Sequence, residues 1–394
     1  MTPATSTSSF HKFAVAVLSL AMLAGCSTAK NLFSGRGKDR SEDPTALVTI
    51  SPTINVKQLW TASLGKGNKD LGIDLRPAVF DGHVYALAFE GGVSAFDLKT
   101  GQVLWHYASK LPLTGGPGAG AGLVVVGSLE GDVVALDAAT GTEKWTAKVA
   151  NEVLVAPAMG GGMVFVHSND GRLTALDAST GERRWFYSPD MPALTVRGSG
   201  GITIGPDIVF VGNDNGSVTA LSMNDGSVRW TTPVAQPDGR SELERMADVD
   251  GPAILDNTVL YATSYKNHTV AIDGPSGQLM WDRENGGQHG LALSNSAVVV
   301  TDPIGKVWGL DRNTGSSLWQ QNGLAFRKVT APAVQGDYAV VGDFEGNLHW
   351  LRLSDGAFAA RSKLGSAISG QPAVSDGILV VQTEAGQLAA FALQ

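Results

Sequence analysis

The sequence predicts an all-β protein folded as a single eight-bladed β-propeller of four-stranded antiparallel blades. Three observations carry this: the composition, a unit of about forty residues that recurs along the chain, and two chain ends that each hold part of the same unit. The 394 residues are 43% hydrophobic and 17% charged and include 49 glycines. That is too apolar for disorder and too rich in glycine for a helical protein. Length alone would suggest two or three domains, but propellers run long as one domain, so the repeat decides.

The repeat starts at Trp60. Each unit has a short β-branched strand, a glycine turn, a strand ending Ala-Leu-Asp, a Thr-Gly pair and a strand that closes on Trp. The clearest copies are Ala95-Phe96-Asp97 to Trp105, Ala135-Leu136-Asp137 to Trp145 and Ala175-Leu176-Asp177 to Trp185. The series continues through Trp230, Trp281 and Trp319, then through two degraded units at Trp350-Leu351 and Ala390-Phe391, which makes eight. In the unit ending at Trp185, four strands are expected at Ala156-Pro157-Ala158, Met163 to His167, Leu173 to Asp177 and Arg183 to Tyr187. Asn169-Asp170-Gly171 makes the tight hairpin between the middle two. Four short strands at this period describe a propeller blade, and a helical solenoid is excluded because no helical apolar spacing appears.

The ends interlock. Val56 to Ser63, with Trp60, reads as the fourth strand of a blade that lacks its first three, and Gln371 to Gln394 supplies three strands and no fourth. The amino-terminal strand is therefore expected to complete the last blade and close the ring, removing its open edges. The recurring Trp is expected to wedge between neighbouring blades, and the Asp and Thr-Gly to order a turn through side-chain to backbone hydrogen bonds.

Before the propeller, residues 1–25 hold one charged residue, Lys12, then an apolar run from Phe13 to Leu23 that ends in Leu23-Ala24-Gly25-Cys26. The run is too short to span a bilayer and has the layout of a secretory signal. The tetrapeptide resembles the lipobox of bacterial lipoproteins, and Cys26 is the only cysteine. The expected organisation is a signal peptide over 1–25, a lipidated Cys26 with a polar tether to residue 53, and a propeller over 54–394. Several acyl chains on Cys26 would anchor it stably, and a tether of this length spans roughly 25–30 Å. Ser27, where an aspartate would resemble an inner-membrane retention signal, points to the periplasmic face of the outer membrane.

Little in the chain suggests chemistry. Seven histidines are scattered without metal-ligand spacing, and no nucleophile-elbow, zinc-protease or nucleotide-loop motif occurs. No catalytic residue, metal, cofactor or small-molecule substrate is expected. Gly115 to Gly122 precedes a strand rather than a helix and is read as a blade connection. Net charge is −8, and −9 without residues 1–25 because only Lys12 is lost, which argues against a nucleic-acid partner.

The repeat resembles that of quinoprotein alcohol dehydrogenases, eight-bladed propellers that use pyrroloquinoline quinone and calcium. The resemblance implies the fold and a rival function, a PQQ-dependent periplasmic enzyme. Those enzymes carry an adjacent-cysteine disulfide over the cofactor, for which this chain has no residues. Fold likeness alone does not supply the activity.

The Trp-to-Trp interval is 40 from Trp105 to Trp145 and again to Trp185, then 45 to Trp230 and 51 to Trp281. The added length falls between blades, at Ser188 to Gly201 and Pro233 to Pro252. Connections of this kind leave a propeller on the face of the hairpins between second and third strands, so the two insertions are expected side by side. Long connections in compact domains tend to be functional. With the lipobox, tether and eight repeats, they resemble the BamB family, propeller lipoproteins of the outer-membrane β-barrel assembly (BAM) machinery. The resemblance implies a non-enzymatic scaffold whose two loops bind BamA at its periplasmic POTRA domains, beside other BAM components and unfolded outer-membrane proteins. It places partner contacts at Leu194, Val196 and Arg197, with Val196 where the family has Leu, and at Asp248 and Asp250. Clients could also pair with outer blade strands by β-augmentation. An envelope scaffold unrelated to barrel assembly is the remaining alternative.

Overall fold

The computed structural model describes Met1 and residues 42–65, 67, 73, 75–195 and 200–394. The signal peptide, Cys26 and most of the tether lie outside the described residues. Thr45–Gln394 forms one compact unit. No described helix is long and apolar enough to cross a membrane.

Eight four-stranded antiparallel sheets build this unit, and their innermost strands touch in cyclic order around the axis. Blade 1 runs from Ala78–Phe80 to Val103–Tyr107, and blades 2 to 7 follow in sequence order. Blade 8 combines Ala373–Ser375, Ile378–Gln382 and Gln387–Leu393 with Val56–Ser63. The amino-terminal strand lies antiparallel to the last one, with Val56 opposite Leu393 and Ser63 opposite Gln387, so the ring closes as expected.

Strand composition follows burial. The second strand of blade 3, Met163–His167, is buried over four consecutive residues, because a neighbouring blade covers each face of the sheet. Both faces must then be apolar, which gives a continuous run of Val, Phe and Val in place of alternation. The outermost strand, Arg183–Tyr187, reaches solvent and carries the charges. The apolar core is thus divided into layers between blades: Tyr85, Leu87 and Trp105 of blade 1, for example, meet Val124, Val126 and Leu136 of blade 2.

Each layer is fastened by a tryptophan. Trp105 Nε1 donates to the Ala138 carbonyl of the next blade at 2.9 Å, and the same bond joins Trp60 to Leu98, Trp145 to Ala178, Trp185 to Met223, Trp230 to Gly274, Trp281 to Arg312 and Trp319 to Leu353. The ring lies over the glycine of the next Thr-Gly pair. A Cβ at Gly141, whose φ is +70°, would stand 2.5 Å from Trp105. Asp137 Oδ1 accepts from the Thr140 backbone and hydroxyl, fixing the turn that presents this glycine.

Blade 7 keeps the device with its parts exchanged. Elsewhere a small residue of the third strand faces Trp of the fourth, as Ala135 faces Trp145; here Trp350 of the third faces Ala360 of the fourth. Trp350 Nε1 donates to Gln335 Oε1, and Gln335 Nε2 passes the link to the Gly377 and Phe391 carbonyls of blade 8. The unit that looks degraded in sequence is complete in space.

Two expectations change. Gly115 to Gly120 is no connection, since Leu113–Gly120 is the innermost strand of blade 2. Its glycines let blade 3 approach: a Cβ on Gly118 would lie 1.9 Å from the Pro157 carbonyl oxygen. The segment read as tether up to residue 53 is already bound to the propeller from Thr45 onward. Thr45 N donates to Ala325 O, and Thr53 N to Ala359 O. Arg327 and Arg361 donate to the Thr45 and Val48 carbonyls.

Candidate functional site

The two insertions meet on one face, at blades 3 to 5. The first, after Arg183–Tyr187, brings Met191 against the hairpin of blade 3, where its sulfur lies 2.4 Å from the position of a Cβ on Gly171. The second follows Val228–Pro233 of blade 4 and returns at Ile254–Asp256 of blade 5. Gly201 N donates to Asp250 O at 3.0 Å and joins the end of the first insertion to the end of the second.

Sequence explains the path of the second insertion. Ser241 caps a one-turn helix, Glu242–Arg245, in a capping box: its hydroxyl accepts from Glu244 N, and the Glu244 side chain returns to the Ser241 backbone. Lys266, from the hairpin of blade 5, holds Asp238 ahead of the helix. After the helix the chain dives inward. Met246, Ala247, Asp248 and Val249 are all buried, with Val249 packed beside Ile208, Val218 and Val234. Their backbone is tied to both blades, Val249 N to Asn213 O of blade 4 and Tyr265 N of blade 5 to Asp248 O. Residues 246–250 are a wedge between two blades.

Of the expected contact residues, Leu194 is exposed, with Met191 and Leu243 as further exposed apolar side chains. Val196 and Arg197 lie outside the described residues. Asp248 is buried, with 0% exposure. Asp250 is half-buried.

A third carboxyl group, Asp214, sits with them, and the oxygens of the three lie within 4.8 Å of one another. Burial first, and the Asp248 charge second, push Asp214 up to about 7. Burial, Asp248 and Asp214 together raise Asp250 well above the usual carboxylate range. Among the described residues this is the one group of acids, histidines or cysteines with metal-ligand spacing. Sequence reasoning missed Asp214 because it stands 34 residues before Asp248, in the Asn213-Asp214-Asn215-Gly216 hairpin. The available signal was that this hairpin adjoins both long connections.

Comparison with known proteins follows the same lines. The family model described as outer membrane protein assembly factor BamB matches residues 89–321. A protein of that name from Xanthomonas campestris is 51% identical, over 98% of each chain. The chain belongs to the BamB family. BamB of Pseudomonas aeruginosa is 43% identical, covering 96% of this chain and 98% of its own, and BamB of Escherichia coli 34%, covering 94% and 96%. The crystal structure of Moraxella catarrhalis BamB superimposes with a TM-score of 0.78 at 27% identity, over 86% of this chain and all of that one. A quinohemoprotein alcohol dehydrogenase of Comamonas testosteroni reaches a TM-score of 0.70 at 16% identity, over 88% and 78%, a likeness of fold alone. BamB relatives are named for assembly, and the family is not an enzyme family.

Proposed function

We propose that this chain is a non-enzymatic BAM scaffold, anchored in the outer membrane through lipid on Cys26 and facing the periplasm, that binds the POTRA domains of BamA through its two insertions. Support comes from its membership of a family named for outer-membrane protein assembly. The observation that carries the partner face is the meeting of the two insertions over one rigid wedge. Exposed Met191 and Leu194 of the first insertion and Leu243 of the second offer the apolar side chains that a protein interface needs, with the acids Glu242 and Glu244 beside Leu243. Arg197 would pair with an acid on the partner. Asp248 and Asp250 shape the loop that presents this surface.

The test is retention of the chain on immobilised POTRA domains of BamA. A Leu194→Asp/Leu243→Asp variant should bind at least about tenfold more weakly, a loss of about 1.4 kcal/mol, and Arg197→Ala should also weaken binding. Equal retention of the folded double variant would move the interface elsewhere. A second mode, pairing of client strands with blade edges, is favoured by Leu104, Phe186, Leu279, Met280 and Leu318, all exposed on outermost strands.

A further inference from the structure

We propose that Arg76, at the mouth of the channel enclosed by the innermost strands, holds the carboxylate of a small organic anion whose apolar part lies along the channel wall. The site is separate from the contacts assigned to the two insertions, and the inference stands whether or not they bind BamA.

A break in the repeat is the first ground. In every blade the third residue of the second strand faces one residue of the innermost strand, as Tyr85 faces Ala78, so the blades can be aligned two residues ahead of that partner. At this position six blades carry Gly, Ala or Pro, namely Gly116, Ala156, Gly201, Pro252, Gly290 and Ala331. Blades 1 and 8, which are neighbours in the ring, carry Arg76 and Gln371 instead. The innermost strands begin on the face of the insertions, since these run straight into Ile202–Ile204 and Ile254–Asp256. The two long polar side chains therefore stand at that end of the channel, where the rest of the ring is kept short.

An unmatched charge is the second ground. Arg76 Nη1 donates to Gln371 Oε1 at 3.1 Å, and among the described residues the guanidinium has no other hydrogen bond and no ion pair. Burial lowers its pKa from the usual arginine value, and no carboxylate opposes the shift. Gln371 is spent elsewhere, because its Nε2 donates to the Leu291 and Pro332 carbonyls. The backbones that carry the pair are held close: a Cβ on Gly370 would lie 2.1 Å from the Leu75 carbonyl oxygen. Arg76 is thus fixed in place with all but one of its N–H groups lacking a protein acceptor. A charge drawn out of bulk water is costly until an opposite charge joins it.

The cavity beside this pair selects the ligand. It has a volume of about 500 Å³, within the range of small-molecule sites. Arg76 is the one charged side chain among the described residues that line it. Met159, Ile202 and Ile204 line it as well, and Pro77, Pro117, Pro157 and Pro372 bring no N–H to its wall. A single planar fork with few other donors around it suits the two oxygens and single charge of a carboxylate. Phosphate, with more oxygens and more charge, would leave some of them unpaired, and the apolar wall favours a hydrocarbon chain or ring behind the carboxylate.

The experiment uses the full-length chain in a non-ionic detergent, titrated with sodium benzoate and followed by saturation-transfer NMR on the benzoate ring protons. One saturable site is expected, with a Kd on the order of 10⁻³ M. Benzyl alcohol, which has the ring without the charge, should bind at least about tenfold more weakly. Arg76→Gln, checked for fold by circular dichroism, should weaken benzoate by about tenfold or more. If that variant does not fold, Arg76→Lys, which keeps the charge and loses the fork, should still weaken it by about threefold or more. Absence of saturable binding by the wild type, equal binding of benzyl alcohol, or undiminished binding by a folded variant would overturn the site. Displacement of benzoate by an equal concentration of inorganic phosphate would overturn the choice of a carboxylate.

Discussion

Gly141 shows how one hydrogen atom in place of a methyl group decides whether two blades meet. Trp105 lies flat where a Cβ would stand 2.5 Å from it, and φ is +70°, so Gly141→Ala meets both a clash and backbone strain. We expect a loss of about 2–4 kcal/mol, read as a lower urea midpoint with unchanged slope. Asp214 makes a prediction of the opposite kind. Burial and the Asp248 charge raise its pKa to about 7, above the usual carboxylate range, so the folded chain holds a proton the unfolded chain releases. Stability is therefore present at low pH and lost as pH rises through about 7. The protein should have a higher urea midpoint near about pH 5 than near about pH 8, and Asp214→Asn should flatten the difference. Aspartates such as Asp97 and Asp311, held down by their turn hydrogen bonds, act in the reverse direction, but only at lower pH. The Trp and Thr-Gly residues were legible in the sequence because they recur; Asp214 was not, because it occurs once and its neighbours are assembled only by folding.

Among the elements, the hairpin of blade 7 shows what holds the chain's entry to the ring. Asp343 has 0% side-chain exposure and accepts from Arg327, Asn347 and His349, while Arg327 also reaches Glu345 and the Thr45 carbonyl. Asp343→Leu would leave the Arg327 charge buried with Glu345 as its remaining acid. A cost of about 3–5 kcal/mol is expected, together with faster proteolysis near Thr45 as the segment lifts. None of this was visible in the sequence, where residues 45–53 read as polar tether: their attachment runs through backbone carbonyls, which every residue has. The strands themselves were legible, because burial on both faces forces an apolar run and the hairpins carry Gly at fixed places. The innermost strand Leu113–Gly120 escaped notice since its glycines answer to Pro157 and Val153 of the next blade, a spacing constraint with no local signature.

At the scale of the molecule, blade number, ring closure and the face of the insertions all followed from counting, because a ring of equal units leaves few ways to place them. Closure rests on Val56–Ser63, and its removal would bare an edge of Gln387–Leu393 together with the surface that Trp60 covers. Deleting residues 54–63 should give a protein that elutes as large aggregates in size-exclusion chromatography, whereas Trp60→Phe, which loses one hydrogen bond but keeps most of the wedge, should remain monomeric.

The pairing of Val56 with Leu393 also imposes an order in time. Val56–Ser63 waits for Gln387–Leu393, so no shorter portion of the chain emerging from a ribosome can complete the ring. Until Gln387–Leu393 is available, two raw edges stay open at once, and the closing step joins residues far apart in sequence, which folds slowly. The ring closes only once residues 387–393 have been made, and the chain's exposure to misassociation until then is set by how quickly they follow.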